Sequence, residues 1–170
     1  MYRTSSLLVA ALVAGCAGTQ SSIIPEQLNP GAKETMTLIV PAKGVQIYEC
    51  RANKAGVYEW TFVAPQAELF DTTGKPIGKH YAGPQWESGD GSKIAGAVKA
   101  RADAPAGNAI PWLLLDAKSV GGEGSFSKVT SVQRVNTVGG VAPKVGCSQD
   151  NAGTPVRVPY TADYYFFTPK

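Results

Sequence analysis

The stretch GVQIYECR, residues 44–51, puts Val45 and Ile47 on one side of an extended chain and Gln46, Tyr48 and Cys50 on the other. A period of two is the signature of a strand, because successive side chains of a pleated backbone point to opposite faces. Both sides carry large residues, so the strand is expected to be covered on both faces. Working outward, the same logic recurs. Residues 36–40 form a second short run, set apart by Pro41 and Gly44. Residues 57–63 are rich in β-branched and aromatic side chains, Pro65 interrupts them, and residues 67–70 resume. DTTGKPIG, residues 71–78, reads as a turn.

Downstream, residues 93–100 alternate with Ile94, Gly96 and Val98 on one face. Residues 112–115, WLLL, form a continuous apolar run of the kind found in a central strand. Residues 126–135 alternate again, and DYYFF near the C-terminus sets Tyr164 and Phe166 opposite Tyr165 and Phe167. No window shows an apolar stripe of period 3.6 and helical length. About eight short strands separated by Gly and Pro imply a mainly β fold: an antiparallel β-sandwich or a partly closed β-barrel with Gly/Pro-rich loops.

The N-terminus has a different composition. Arg3 is followed by an apolar run at residues 7–13 and the small residues Ala14 and Gly15, the layout of a secretory signal. The run is too short to span a bilayer. Its ending, VAGC, resembles the lipobox of bacterial lipoproteins, which makes Cys16 the expected lipid anchor and residues 1–15 the signal peptide. The alternative is an ordinary signal cut near Ala14 or Ala17, leaving a soluble exported protein. On the first reading, residues 16–35 are a lipidated tether and residues 36–170 a single β-rich domain. The protein would then sit in the cell envelope, anchored in the outer membrane and facing the periplasm, since Ala17 is not the Asp associated with inner-membrane retention.

Hydrophobic residues make up 44% of the chain, against 19 Gly and 12 Pro, so it is loop-rich yet able to bury a core. The net charge is only +3 and the lysines are scattered, which argues against nucleic acid as a partner. Besides Cys16 there are two cysteines, Cys50 and Cys147. In an oxidising compartment an even pair favours a disulfide, with two buried thiols or half of a metal site as the competing readings. Metal is weakly supported, because no CxxC occurs and the single histidine, His80, has no clustered ligand partner. No cofactor is implied.

The densest polar segment holds Lys79, His80, Tyr81, Gln85, Trp86, Glu87, Asp90 and Lys93, and reads as a loop between strands. A histidine near carboxylates is the raw material of acid–base chemistry, so a hydrolase-like site would pair His80 with Glu87 or Asp90, with Ser88 or Ser92 as nucleophile. No GxSxG elbow supports it. The plainer expectation is that His80 hydrogen-bonds to backbone and fixes a turn. Trp86, next to Gly83 and Pro84, is either the lid of the core, the preferred reading, or an exposed platform with Tyr81 and Asp90 for a sugar or peptide. Arg134 is able to clamp a carboxylate, although a structural bridge to Glu87 or Asp163 is the simpler expectation. SGDGS around Asp90 offers one carboxylate, too few for calcium.

The blocks GVQIYECR, WTFVAPQAELFD, GKHYAGPQWESGDGSKIAGAV, IPWLLLDAKS, VTSVQRVNTVGGVAPKVGC and VPYTADYYFF together resemble the domain of unknown function 3455 family of exported bacterial and secreted fungal proteins. The resemblance covers residues 44–167 and implies that Cys50, Cys147, Trp60, Trp86, Trp112 and the GKHYAGP segment belong to a shared pattern. It implies no catalytic residues. A dehydrogenase reading lacks a GxGxxG turn. The expected function is therefore non-catalytic binding of a small polar ligand, glycan or envelope protein, through His80, Tyr81, Trp86, Asp90 and Arg134. A purely structural envelope protein and a hydrolase-like enzyme are the alternatives.

Overall fold

The computed structural model describes residues 23–170. The described residues form eight strands: β1 (Glu34–Ala52), β2 (Tyr58–Phe70), β3 (Pro76–Tyr81), β4 (Gln85–Ser88), β5 (Lys93–Ala102), β6 (Trp112–Ser119), β7 (Ser131–Gly139) and β8 (Pro155–Pro169). Each pairs antiparallel with its successor, and β8 returns to pair with β1, so the sheet closes on itself in sequence order. Closure removes the free edges that an open sheet of this size would expose.

The prolines that look like strand breaks lie inside strands. Pro41 pairs with Asp163 of β8 but precedes the start of β1–β2 pairing at Ala42. Pro65 pairs with Gln46 of β1, while β2 pairs with β3 only from Ala67 onward. Each therefore sits where its strand has one neighbour, so the missing N–H costs no ladder bond. The two runs expected on either side of Pro41 are one strand of 19 residues, and those around Pro65 are one of 13.

Alternation decides the interior. Val40 and Ala42 of β1, Ala67 and Leu69 of β2, Trp86 of β4, Ile94 of β5, Leu115 of β6, Val132 of β7, and Tyr160, Ala162, Tyr164 and Phe166 of β8 form one buried cluster. A second cluster lies on the outer surface of β5, β6 and β7. There Trp112, Leu114 and Val135 are covered by Leu28, which is fully buried. Leu28 belongs to a single 3-10 turn, Glu26–Leu28, and its carbonyl accepts a 2.6 Å hydrogen bond from Gln133 Nε2. The segment expected to be a tether thus contributes from residue 24 onward to covering the barrel wall.

One further expectation changes form. Residues 126–130 precede β7 as a turn rather than beginning the strand, with Phe126 buried edge-on against Phe166 at 4.8 Å.

Cys50 and Cys147 form a disulfide with a Cα–Cα distance of 5.3 Å. It ties β1 to the β7–β8 connection, and Trp60, which pairs with Cys50 across β1–β2, donates its indole N–H to Val145 O beside it. The expected partner, membrane lipid held through a cysteine, is corrected by this finding: the cysteine chemistry of the described chain is an internal crosslink. Cys16 lies outside the described residues, as does the expected signal peptide. Among the described residues no helix is long and apolar enough to cross a membrane.

Candidate functional site

The segment 78–98, read from sequence as mostly loop, is three strands with tight turns. His80 pairs directly with Trp86, and Trp86 with Ile94, so the three make a row across β3, β4 and β5 on the inward face. The physical reason for the misreading is length. β4 has only four residues, and a short strand rich in polar side chains leaves little alternation to detect. Trp86 is 1% exposed and His80 3%, which corrects the exposed-platform alternative for Trp86 and agrees with the core reading. Gly96 is what lets the indole lie flat against β5, because a Cβ there would stand 2.8 Å from its ring.

His80 stacks on Trp86 with ring centroids 4.5 Å apart and planes 15° apart, and meets Tyr164 edge-on at 5.0 Å. Its Nδ1 lies 2.8 Å from Gln85 O. A carbonyl only accepts, so Nδ1 carries the proton and Nε2 is a bare acceptor. Desolvation lowers the imidazole pKa to about 3; the Gln85 hydrogen bond opposes this and the charge of Arg134 reinforces it. His80 is therefore neutral at physiological pH. It fixes the β3–β4 turn, as its plainer reading expected.

The other candidates separate. Tyr81 and Glu87 lie on the outer face, where Tyr81 OH donates to Glu87 Oε2 and Lys93 Nζ pairs with the same oxygen at 3.1 Å. Asp90 occupies the β4–β5 turn, outside the barrel, and accepts from Ser92 and Ser125. Those hydrogen bonds hold its carboxyl well below the usual carboxylate range, Ser92 contributing most. The hydrolase arrangement is not assembled: among the described residues no hydrogen bond links His80 to Ser88, Ser92, Glu87 or Asp90. Nor do the described residues contain a group of three or more His, Cys, Asp or Glu able to hold a metal.

Arg134 joins His80 and Trp86 where Tyr81 and Asp90 do not. It lies on the inward face of β7, paired with Leu113 of β6 and Tyr164 of β8. The bridge expected to Glu87 or Asp163 is absent, for Asp163 instead accepts from Asn136 Nδ2 at 2.8 Å. The Nε and Nη2 of Arg134 both donate to Pro111 O, at 3.1 and 2.8 Å. The three salt bridges among the described residues do not include it.

These side chains enclose a cavity of about 310 Å³. Its floor is Trp86, Leu115 and Tyr164, with His80 and Arg134 in the wall and Phe62 and Val98 at the rim. The opening follows from strand lengths. β3–β4 is a short hairpin: β3 pairs with β2 only to Ala67, and β4 with β5 only to Ala95. Beyond those points the longer strands β2 and β5 have nothing between them but Gly83 and Pro84, joined by a cis peptide, and the barrel is open there. At this mouth Phe62 is 50% and Val98 58% exposed. The Trp86 indole N–H is buried behind the wall with no acceptor. Tyr160 OH and Tyr164 OH lie 3.3 Å apart below, and burial pushes both phenols up.

Sequence reasoning singled out His80, Trp86 and Arg134 but did not select Tyr164, Phe62 or Leu115. Alternation put Tyr164 and Phe166 on one face of the strand, and the structure makes that face the inward one. What it lacked was the short β3–β4 hairpin that makes an opening beside it.

The family model described as a protein of unknown function, DUF3455, matches residues 30–168. No curated protein and no solved structure matches the chain.

Proposed function

The chain belongs to the DUF3455 family of proteins of unknown function, and on that premise we propose that its barrel is a non-catalytic binding domain holding one small ligand in the cavity at its mouth. The observation that carries this reading is the cavity itself: about 310 Å³, reached from solvent past Phe62 and Val98, and walled by the His80–Trp86–Tyr164 aromatic group. Eight-stranded barrels are just wide enough either to fill with side chains or to hold one small ligand. This one does each at a different end. Binding pockets combine an apolar wall with a few polar groups, and His80 and Arg134 supply these. A glycan is less well served, because the wall offers aliphatic and aromatic contact with few hydrogen-bonding groups. The Cys50–Cys147 crosslink supports an exported protein working in an oxidising compartment.

The test is calorimetric titration with the neutral probe 2-naphthol, on wild type and on Val98→Phe, which narrows the mouth from an exposed position. Expected is one-to-one binding that Val98→Phe weakens at least about tenfold with little change in melting temperature. A flat titration of wild type, or binding indifferent to Val98→Phe, overturns the reading.

A further inference from the structure

We infer that the cavity selects a singly charged anion, a carboxylate carried on a flat apolar body, and that Arg134 is the residue that binds its charge. The inference rests on the ligand-binding reading above and names the chemistry of that site.

The wall of the cavity contains one permanent charge, that of Arg134, and no carboxylate. His80 adds none, being neutral. Inside the barrel Arg134 is partly buried, and the oxygens its guanidinium meets, Pro111 O and the phenol of Tyr164, are both uncharged. A carbonyl satisfies N–H groups without balancing charge. A partly desolvated cation lacking a counter-charge is costly to a fold, and an apolar residue of similar size would pack at the same place without that cost.

The donor geometry leaves a place for the anion. A guanidinium has five N–H groups arranged along planar edges. Pro111 O takes the edge formed by Nε and Nη2, so the edge between the two Nη atoms remains for the paired oxygens of a carboxylate. Trp86 contributes its ring to the same wall, while its indole N–H has no acceptor and is buried out of contact with the cavity. The wall thus offers the charged donors of Arg134, with the His80 Nε2 as its one bare nitrogen acceptor. It matches an acceptor-rich ligand.

Charge and shape narrow the class further. One arginine neutralises one negative charge, whereas a phosphate dianion would leave an uncompensated charge against Leu113, Leu115 and Tyr164. Those neighbours and the rings of Trp86 and His80 favour a flat aromatic or unsaturated body over a hydrated one.

The experiment compares 2-naphthoate with 2-naphthamide, which share shape and differ in charge, by titration calorimetry at neutral pH. On wild type the acid is expected to bind at least about tenfold tighter than the amide. Arg134→Gln should abolish that preference while leaving the amide within about twofold of its wild-type affinity; Arg134→Lys, which keeps the charge but loses the fork, should retain part of it. If 2-naphthol and the amide bind but the acid binds no better, or if Arg134→Gln keeps the preference, anion selection is wrong while the cavity still binds ligands. If none of the three probes binds, both readings fall together. The wild-type acid-to-amide ratio decides the matter even if Arg134→Gln does not fold.

Discussion

The two ends of the barrel each hold one charge that the sequence makes conspicuous, and they treat it in opposite ways. At the closed end, Asp90 sits in the β4–β5 turn and accepts four hydrogen bonds, from the backbone N–H and hydroxyl of Ser92 and of Ser125. Ser92 Oγ in turn accepts from the Phe126 N–H. Gly124 approaches so closely that a Cβ there would lie 2.6 Å from the Asp90 carboxyl. The corner is complete without any ligand. At the open end, none of the salt bridges among the described residues includes Arg134, and it lines a cavity. A charged residue balanced by its own chain locks two loops together; one without a counter-charge is where we propose the ligand sits.

The largest expected effect tests how far the open end shares the packing of the closed one. Trp86 spans both, touching His80 and Tyr164 at the cavity and Phe166 toward the closed end. Trp86→Ala is expected to cost about 3–5 kcal/mol, the usual range for deleting a buried large aromatic. A denaturant melt beside wild type measures it. A loss below about 1 kcal/mol would mean that the indole is only cavity lining, and the distinction between a packed end and a hollow one would need redrawing.

Somewhat smaller is the effect expected of the disulfide, whose two halves are 97 residues apart in sequence. Replacing Cys50 and Cys147 by Ser should lower stability by about 2–5 kcal/mol, through the freedom restored to the unfolded chain. Because the crosslink holds the β7–β8 connection at the open end, hydrogen exchange should rise first there, around residues 140–154, with Ser92 and Ser125 still protected. Equal loosening at both ends would break the comparison.

How much of this was legible from sequence differs between the two ends. Strict alternation placed Gln46, Tyr48 and Cys50 on one side of β1, and Tyr164 and Phe166 on one side of β8, and the structure agrees. Alternation works there because these strands are long and buried on the inward face. The polar segment around His80 was opaque, since β4 has four residues and its outward Gln85 and Glu87 mask the inward Trp86 and Ser88. Pro41 and Pro65 looked like breaks because a sequence does not say which strands lack a second neighbour. The same missing knowledge hid the cavity. An opening between β2 and β5 is a property of strand lengths in register, and no residue in it announces the gap. Arg134 was visible as a potential clamp, but whether Glu87 or Asp163 reached it was a question of face: Glu87 points outward from β4, and Asp163 pairs with Asn136.

The smallest effect per step separates the two ends by pH. His80 has a folded pKa lowered from 6.5 to about 3, so between those values the unfolded chain binds a proton that the folded one does not. Stability then falls as pH drops, by up to about 1.4 kcal/mol per unit, beginning near 6.5. Asp90 is also depressed, from 3.8, through its bonds to Ser92 and Ser125. Its contribution is fully present above that ordinary value and disappears only as pH falls below it toward the lowered one. The open end should therefore weaken in mild acid, and the Asp90 corner only in strong acid. Denaturant melts from pH 7 to pH 2 should show two limbs. His80→Gln, which keeps a donor for Gln85 O, is expected to flatten the limb between about pH 6.5 and 4 relative to its own value at pH 7, leaving the steeper decline below. Asp90→Asn should do the reverse, sparing the upper limb and reducing the lower. A His80→Gln profile parallel to wild type throughout would show that the imidazole is not held neutral by burial, and Arg134 would then no longer be the only cation facing the cavity.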